Sequence, residues 1–199
     1  LSKPFMSKDN AYSGSGYYFY DLTTKINYRI SDKDRIFLSG YFGRDVFSFV
    51  NTDNDIAIEI PWGNATTTLR WNHLFSDKLF MNLSLIYNDY NFSIEATQNS
   101  WLFILYSGIK DINEKLDFDF YPNTNHHIKF GLEHTYHTFI PNTASASSQE
   151  DSLVIEPEDN SKRFAHEWAM FVTDDFKVND VLKINYGLRF SGFHQIGPY

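Results

Sequence analysis

Strict alternation of apolar and polar side chains, held over stretches longer than an ordinary strand, limits this chain to very few folds. From Tyr18 the even positions read Tyr18, Tyr20, Leu22, Thr24, Ile26, Tyr28 and Ile30. The odd positions between them read Phe19, Asp21, Thr23, Lys25, Asn27 and Arg29. Successive side chains of a strand point to opposite faces, so one face is apolar and aromatic while the other is polar and charged. The same pattern returns near the C-terminus, where Leu182, Ile184, Tyr186, Leu188 and Phe190 interleave with Lys183, Asn185, Gly187, Arg189 and Ser191.

Between these ends the period recurs. Ala65, Thr67, Leu69 and Trp71 oppose Thr66, Thr68, Arg70 and Asn72. Leu79, Met81, Leu83, Leu85 and Tyr87 oppose Phe80, Asn82, Ser84, Ile86 and Asn88. Leu116, Phe118 and Phe120 form one set, and Ile128, Phe130, Leu132, His134 and Tyr136 another. Two stretches are ambiguous: in 36–47 Phe37, Tyr41 and Phe47 blur the face of Ile36, Leu38 and Phe42, and in 164–176 neither parity wins, so a bulge is expected there. About eight strands result, several of ten residues or more. A bilayer crossing needs about 9–11 tilted residues, whereas strands of globular proteins cluster near 5–6.

Short polar turns are expected at 31–34, 76–78, 122–125 and 178–180, and longer links at 48–62 and 140–162, with a shorter one near 95–100. The 140–162 link, rich in Ser, Asn, Asp and Glu between Pro141 and Pro157, reads as a mobile loop. Short turns on one side and long loops on the other are the outer-membrane barrel pattern, with the long loops extracellular. Composition agrees: 18% of residues are aromatic (19 Phe, 13 Tyr, 4 Trp), yet the mean hydropathy is −0.40. Apolar side chains facing lipid and polar ones facing a lumen require both lists at once. A soluble barrel would bury its apolar face inside instead, and alternation alone does not separate the two senses; aromatic load, strand length and loop asymmetry favour the membrane.

Other classes fall away. The net charge of −8 argues against a nucleic-acid partner, the absence of cysteine removes disulfides and thiolate metal sites, and no run of about 18 apolar residues offers a membrane helix. With the short turns on the periplasmic side, both ends of an eight-stranded sheet lie outside the cell, the wrong phase for a closed eight-stranded barrel. The expectation is therefore an all-β, antiparallel transmembrane β-barrel portion, residues 1–199 being a partial outer-membrane barrel domain whose leader peptide, if it has one, is removed or lies upstream.

Several strings carry a family flavour: Tyr20-Asp21-Leu22-Thr23-Thr24-Lys25-Ile26-Asn27-Tyr28, Asp34-Arg35-Ile36-Phe37-Leu38-Ser39-Gly40-Tyr41-Phe42-Gly43-Arg44-Asp45, Trp62-Gly63-Asn64, Leu69-Arg70-Trp71-Asn72-His73-Leu74-Phe75-Ser76, His127-Ile128-Lys129-Phe130-Gly131, Asp174-Asp175-Phe176-Lys177 and Tyr186-Gly187-Leu188-Arg189-Phe190. In this order they resemble the barrel of TonB-dependent outer-membrane receptors of Bacteroidetes type, over most of 17–198. That resemblance implies a 22-stranded barrel closed by a plug domain that is not in this chain, and import of a bulky or scarce nutrient without covalent chemistry or cofactor. The implied partners are outer-membrane lipid, the plug, the remaining strands, the TonB complex and a surface lipoprotein. Two other classes stand beside it: a structural or adhesion-type barrel of an envelope complex, and a soluble ligand-binding β-barrel.

Motifs for catalysis are absent: there is no Gly-x-Ser-x-Gly, phosphate loop or zinc-protease motif. Of the seven histidines, adjacent His126 and His127 face opposite ways in a strand, as do His134 and His137, so no metal site is expected. Asp53-Asn54-Asp55 lacks the glycine and terminal glutamate of a calcium loop. Asp111, Asp117 and Asp119 with Lys115 read as a hydrated lumen wall. Trp62, Trp71, Trp101 and Trp168, with the many tyrosines, suit either an interfacial girdle, the default for rings at strand ends, or sugar-stacking platforms. Trp62, Asn64 and Trp101, near the extracellular loops, are the candidate substrate contacts. Arg29, Arg70, Lys129, Glu133, Lys183 and Arg189 are expected to face the lumen and to pair with the plug or with neighbouring strands.

Overall fold

The computed structural model describes residues 11–148, 154–155 and 162–197. They form one antiparallel sheet of nine strands: β1 Gly16–Arg29, β2 Asp34–Asn51, β3 Ile56–Ser76, β4 Leu79–Gln98, β5 Trp101–Asn123, β6 His126–Ser148, β7 Val154–Ile155, β8 Arg163–Lys177 and β9 Lys183–Ile196. Eight long strands pair in chain order, with the two-residue β7 against the end of β6. β1 and β9 are each paired on one side only among the described residues.

The register turns the local alternation into two continuous faces. The row Ile26–Leu38–Leu69–Leu85 runs across β1 to β4 through direct pairings, and Leu83–Leu116–Leu132–Met170–Phe190 continues one pleat away across β4 to β9. The large side chains of this apolar face are exposed: Leu132 at 55%, Leu188 at 79% and Phe190 at 68%. The described buried apolar core comprises just Val46, Met81, Ala165 and Ala169. A 14-residue or longer strand cannot be held in water by so small a core, and the sheet's unburied apolar surface requires an apolar surrounding.

The strands are also staggered. Arg29 ends β1, and the row through it passes Arg35, Asn72, Asn82, Asp117, Gly131 and Phe171 to Arg189, six residues past the start of β9 at Lys183 after seven pairings. A shift of about one residue per strand corresponds to a strand tilt of roughly 30°, close to the ~35–45° of barrel strands. Followed along this slope, Tyr28, Trp71, Phe118, Phe130, Phe176 and Tyr186 line the turn edge of the apolar face, and Tyr20, Phe42, Tyr87, Tyr136 and Trp168 line the other. These two belts are roughly 20 Å apart, comparable with the about 25 Å apolar band between aromatic girdles.

Short side chains close the turn edge. The Ser31 hydroxyl accepts from Lys33 N–H at 3.1 Å and donates to Asp34 at 2.7 Å. Asn125 N–H donates to Asn123 Oδ1 at 2.8 Å, and Asn179 Oδ1 accepts from Val181 and Leu182 at 2.9 and 2.8 Å, the local bonding that makes these residues turn formers. Asp34, outside the apolar band, is also fixed by His73 Nδ1 at 2.6 Å and Trp71 Nε1 at 3.0 Å. Chiefly through the His73 bond, its carboxyl is held down at about 2. A carboxyl depressed below its unfolded value of about 3.9 stabilises the fold fully above that pH, and loses the contribution as pH falls through about 2. Acid unfolding between pH 4 and 2 is therefore expected to flatten in Asp34→Asn, read by tryptophan fluorescence; an unchanged profile would remove Asp34 from the account.

Four expectations are corrected. The link at 48–62 is a hairpin: β2 runs to Asn51, a single 3-10 turn spans Thr52–Asn54, and β3 starts at Ile56. Asn51 Oδ1 accepts from Asp53 and Asn54 N–H at 3.1 and 3.3 Å, and Asp55 takes the left-handed conformation at φ 49°. The β-branched Ile56, Ile58 and Ile60 favour strand beyond it. Likewise β4 and β5 meet across Asn99 (φ 52°) and Ser100, and β6 continues through 140–148; residues 149–153 and 156–161 lie outside the described residues. Finally, 164–176 carries no bulge, since β6 and β8 pair without interruption from Phe139↔Arg163 to His126↔Phe176. The register shifts fall at Leu74/Ser76, Tyr106/Gly108 and Phe120/Asn123. The second of these sets Pro141, which has no N–H to give, where the ladder is already broken.

Candidate functional site

The polar face gathers most of the residues singled out from the sequence. At its end away from the turns, Trp62 lies against Tyr17 with ring centroids 6.1 Å apart, and is paired in register with Asp45 and Phe92. The Tyr17 hydroxyl donates to Asp45. One pleat nearer the turns, Asn64 Nδ2 donates to Thr66 Oγ1 at 3.4 Å, which donates to Asn88 Oδ1 at 2.7 Å. Asn64 Oδ1 is buried without a hydrogen-bond partner among the described residues. Trp62 and Asn64 thus share one wall with Tyr17 and Asp45.

Trp101 does not join them. It opens β5, six residues beyond Ser107, which stands in the row of Trp62 and Phe92. That is roughly 20 Å along the strand. Its neighbour is Phe103, at 6.1 Å.

The charged candidates divide. Glu133 accepts from Arg189 Nη2 at 3.4 Å and from Asn113 Nδ2 at 3.2 Å, tying β5, β6 and β9 together. Arg29 turns to Asp32. Arg70 lies over the Phe37 ring at 4.8 Å, and its Nε is buried without a partner. Lys129 stands in register between Asp119 and Thr173. Lys183 faces Lys177, which pairs with Asp180 at 2.7 Å.

Cross-strand histidine partners went unforeseen, because they depend on register. On the polar face His137 Nδ1 meets Asp111 at 2.8 Å and its Nε2 lies 3.5 Å from Glu167. His127 Nε2 meets Asp119 at 2.6 Å, its ring stacked on Tyr121 at 4.1 Å. On the apolar face His126 meets Asp174 at 2.7 Å, and His134 bridges Glu114 at 3.4 Å and His166 at 2.9 Å, just inside the belt of Trp168 and Tyr136. Such chains let polar groups on an apolar wall satisfy one another near an interface. Among the described residues no group of three His, Asp or Glu is arranged to hold a metal ion.

No family model matches the chain, and no curated protein matches it. Among solved structures it is similar to BauA, the ferric preacinetobactin receptor from Acinetobacter baumannii, with a TM-score of 0.53 and 11% identity over 94% of this chain. The ferric yersiniabactin uptake receptor FyuA from Yersinia pestis aligns over 82% of the chain at 11% identity and a TM-score of 0.44, a likeness on which nothing further rests. The chain spans 38% of the length of BauA and 29% of FyuA. At such identity the likeness to BauA speaks to fold alone: this is the antiparallel sheet of an outer-membrane type β-barrel.

Proposed function

We propose that these strands are part of the barrel wall of a TonB-dependent outer-membrane receptor that imports a bulky or scarce nutrient. The observation that carries this reading is the apolar face, exposed between two aromatic belts on a tilted sheet whose outer strands are each paired on one side among the described residues. An open edge cannot lie in hydrocarbon, because unpaired N–H and C=O groups find no partner there. Further strands beyond β1 and β9 therefore close the barrel, and outer-membrane lipid covers the apolar face. The fold likeness to a ferric-siderophore receptor supports the class; the Bacteroidetes type rests on the sequence strings alone.

In this reading the apolar face meets lipid and the polar face lines the lumen. The turns of β1–β2, β3–β4, β5–β6 and β8–β9 are periplasmic. Extracellular segments capture the ligand, the shelf of Trp62, Asn64, Tyr17 and Asp45 receives it inside, and it passes when a plug domain is pulled by the TonB complex. The protein performs no covalent chemistry. A surface lipoprotein is a further partner at the extracellular rim; Trp101, farther from the shelf, is a candidate ligand contact on the extracellular side.

Membrane fractionation followed by intact-mass measurement tests this reading. The expected species requires detergent, has a mass of about 80–110 kDa as a 22-stranded barrel with its plug would, and yields peptides from a plug. A water-soluble species of 23.3 kDa would contradict it and favour a soluble binding barrel.

A further inference from the structure

We infer that the shelf of Tyr17, Phe19, Trp62 and Asp45 is a site for an organic cation, a small molecule bearing an alkylated ammonium group. This deepens the importer reading above, on which it rests, by naming the chemistry of the ligand.

Rings gather around one carboxylate there. Phe19, Asp45, Trp62 and Phe92 stand directly opposite one another in a single row across β1 to β4. One pleat farther from the turns, Tyr17 is paired with Phe47. The Tyr17 ring centroid lies 6.0 Å from that of Phe19 and 6.1 Å from that of Trp62. Asp45 therefore has aromatic side chains opposite it on both neighbouring strands and, in Phe47, two residues along its own. Its carboxylate accepts from the Tyr17 hydroxyl.

The charge around it is unbalanced. Elsewhere on the polar face a carboxylate stands beside a basic group: Asp111 beside His137, Asp117 beside Lys115, Asp119 beside His127 and Glu133 beside Arg189. Asp45 has no such partner among the described residues. Asp21, diagonal to it across the β1–β2 ladder, adds a second negative charge. Residues 16–21, 43–51, 56–64, 90–98 and 101–109 build this end of the first five strands. The one lysine or arginine among them is Arg44, which alternates onto the opposite face.

Exposure is a separate observation. Tyr17 and Phe19 are both exposed, although they lie on the face that is polar nearer the turns. Exposed rings grouped on one wall mark a binding surface. The rings are too close together to enclose a cation, so it lies on their exposed side beside Asp45.

Rings beside a carboxylate select among ligands. An alkylated ammonium is attracted to the faces of aromatic rings, the way quaternary ammonium ligands are recognised, and the carboxylate adds its charge. A metal ion asks for about six oxygen ligands, whereas the groups opposite Asp45 are rings. A sugar asks for donors as well as acceptors, and Phe19, Phe47 and Phe92 offer neither. An anion meets Asp21 and Asp45 with no counter-charge.

Isothermal titration of the full-length protein in an uncharged polyoxyethylene detergent tests the site. Choline is the probe cation, dimethylbutanol its uncharged carbon isostere, and maltose the sugar. The expected result is saturable choline binding, at least about tenfold tighter than that of either neutral probe. Asp45→Asn and Trp62→Leu are each expected to weaken it about tenfold, and Trp62→Phe, which keeps a ring, by less. Equal binding of the isostere would reduce the site to an apolar surface, and tighter maltose binding would make it a sugar platform. Either result overturns the inference, as does an absence of saturable choline binding, or choline binding indifferent to both Asp45→Asn and Trp62→Leu. The comparison of probes on the parent protein needs no variant to fold. A detergent-requiring receptor that does not bind choline loses the site and keeps the barrel wall. A water-soluble 23.3 kDa chain that binds it through Asp45 keeps the site and loses the importer reading.

Discussion

Leu132→Arg is expected to destabilise the assembled protein by about 2–4 kcal/mol, the cost of a charge on the lipid face at mid-depth of a barrel. Leu132 lies in the row Leu116–Leu132–Met170, between the two aromatic belts. Its side chain meets little protein: the residue is 55% exposed. That is what makes the substitution informative. If water covered this face, arginine at a half-exposed position would be nearly neutral, within about 0.5 kcal/mol, as most surface changes are. If hydrocarbon covers it, the guanidinium must be dragged from water or the strand displaced. Denaturant titration of folding into lipid vesicles reads the difference. Ser191→Arg, on the exposed polar face of β9, is the matched control, expected within about 0.5 kcal/mol of the parent. Equal effects at the two sites would contradict the assignment of the faces.

The second large effect is steric. Gly131 lies on the polar face of β6 between β5 and β8. A Cβ there would come within 2.6 Å of the Leu116 carbonyl oxygen, 2.9 Å of the Phe171 ring and 3.0 Å of the Asp117 carboxylate. The carbonyl belongs to the neighbouring backbone and cannot swing aside, so the β5–β6 pairing itself has to open. Gly131→Val is expected to cost about 3 kcal/mol, the upper part of the range for overpacking. Gly40→Val, at a position with no atom within 4 Å of the added Cβ, is expected to be neutral or slightly favourable, because β-branched residues suit a strand. The urea midpoints of the two variants check this. A Gly131→Val protein as stable as the parent would mean that β5, β6 and β8 are not packed in this register.

Where lipid and lumen impose opposite demands on alternate residues, the fold was legible from the chain. Tyr18–Ile30 and Leu182–Phe190 declared their two faces because every second side chain must be apolar there. Beyond the far belt both faces are free of that demand. Thr143–Ser148 therefore extends β6 without a clear period and reads as a loop, while the alternation of Ile56, Ile58 and Ile60 is hidden beside Pro61 in a stretch that reads as a link. The 164–176 stretch misled for another reason. His166 and Asp174 interrupt its apolar face, while Ala165, Ala169 and Phe171 sit on the polar one, the two alanines buried. His166 is met by His134, and Asp174 Oδ2 by His126 and Tyr186, partners that only a register can supply. The candidate site shows the same division. Nearness to the extracellular loops put Trp62, Asn64 and Trp101 together; that Trp101 stands far from the other two along β5, or that Arg29 faces Arg35, depends on which residues are opposite one another.

Spin-label accessibility scanned along β9, residue by residue over Lys183–Phe190 in the full-length protein in native outer-membrane vesicles, tests the membrane sense of the sheet most directly. The account predicts high collision rates with dissolved oxygen at Ile184, Tyr186, Leu188 and Phe190. It predicts high collision rates with a water-soluble nickel chelate, or shielding from both reagents, at Lys183, Asn185, Gly187 and Arg189. The opposite phase, with the chelate reaching Leu188 and oxygen favouring Arg189, would contradict it, as would an absence of period two along the strand.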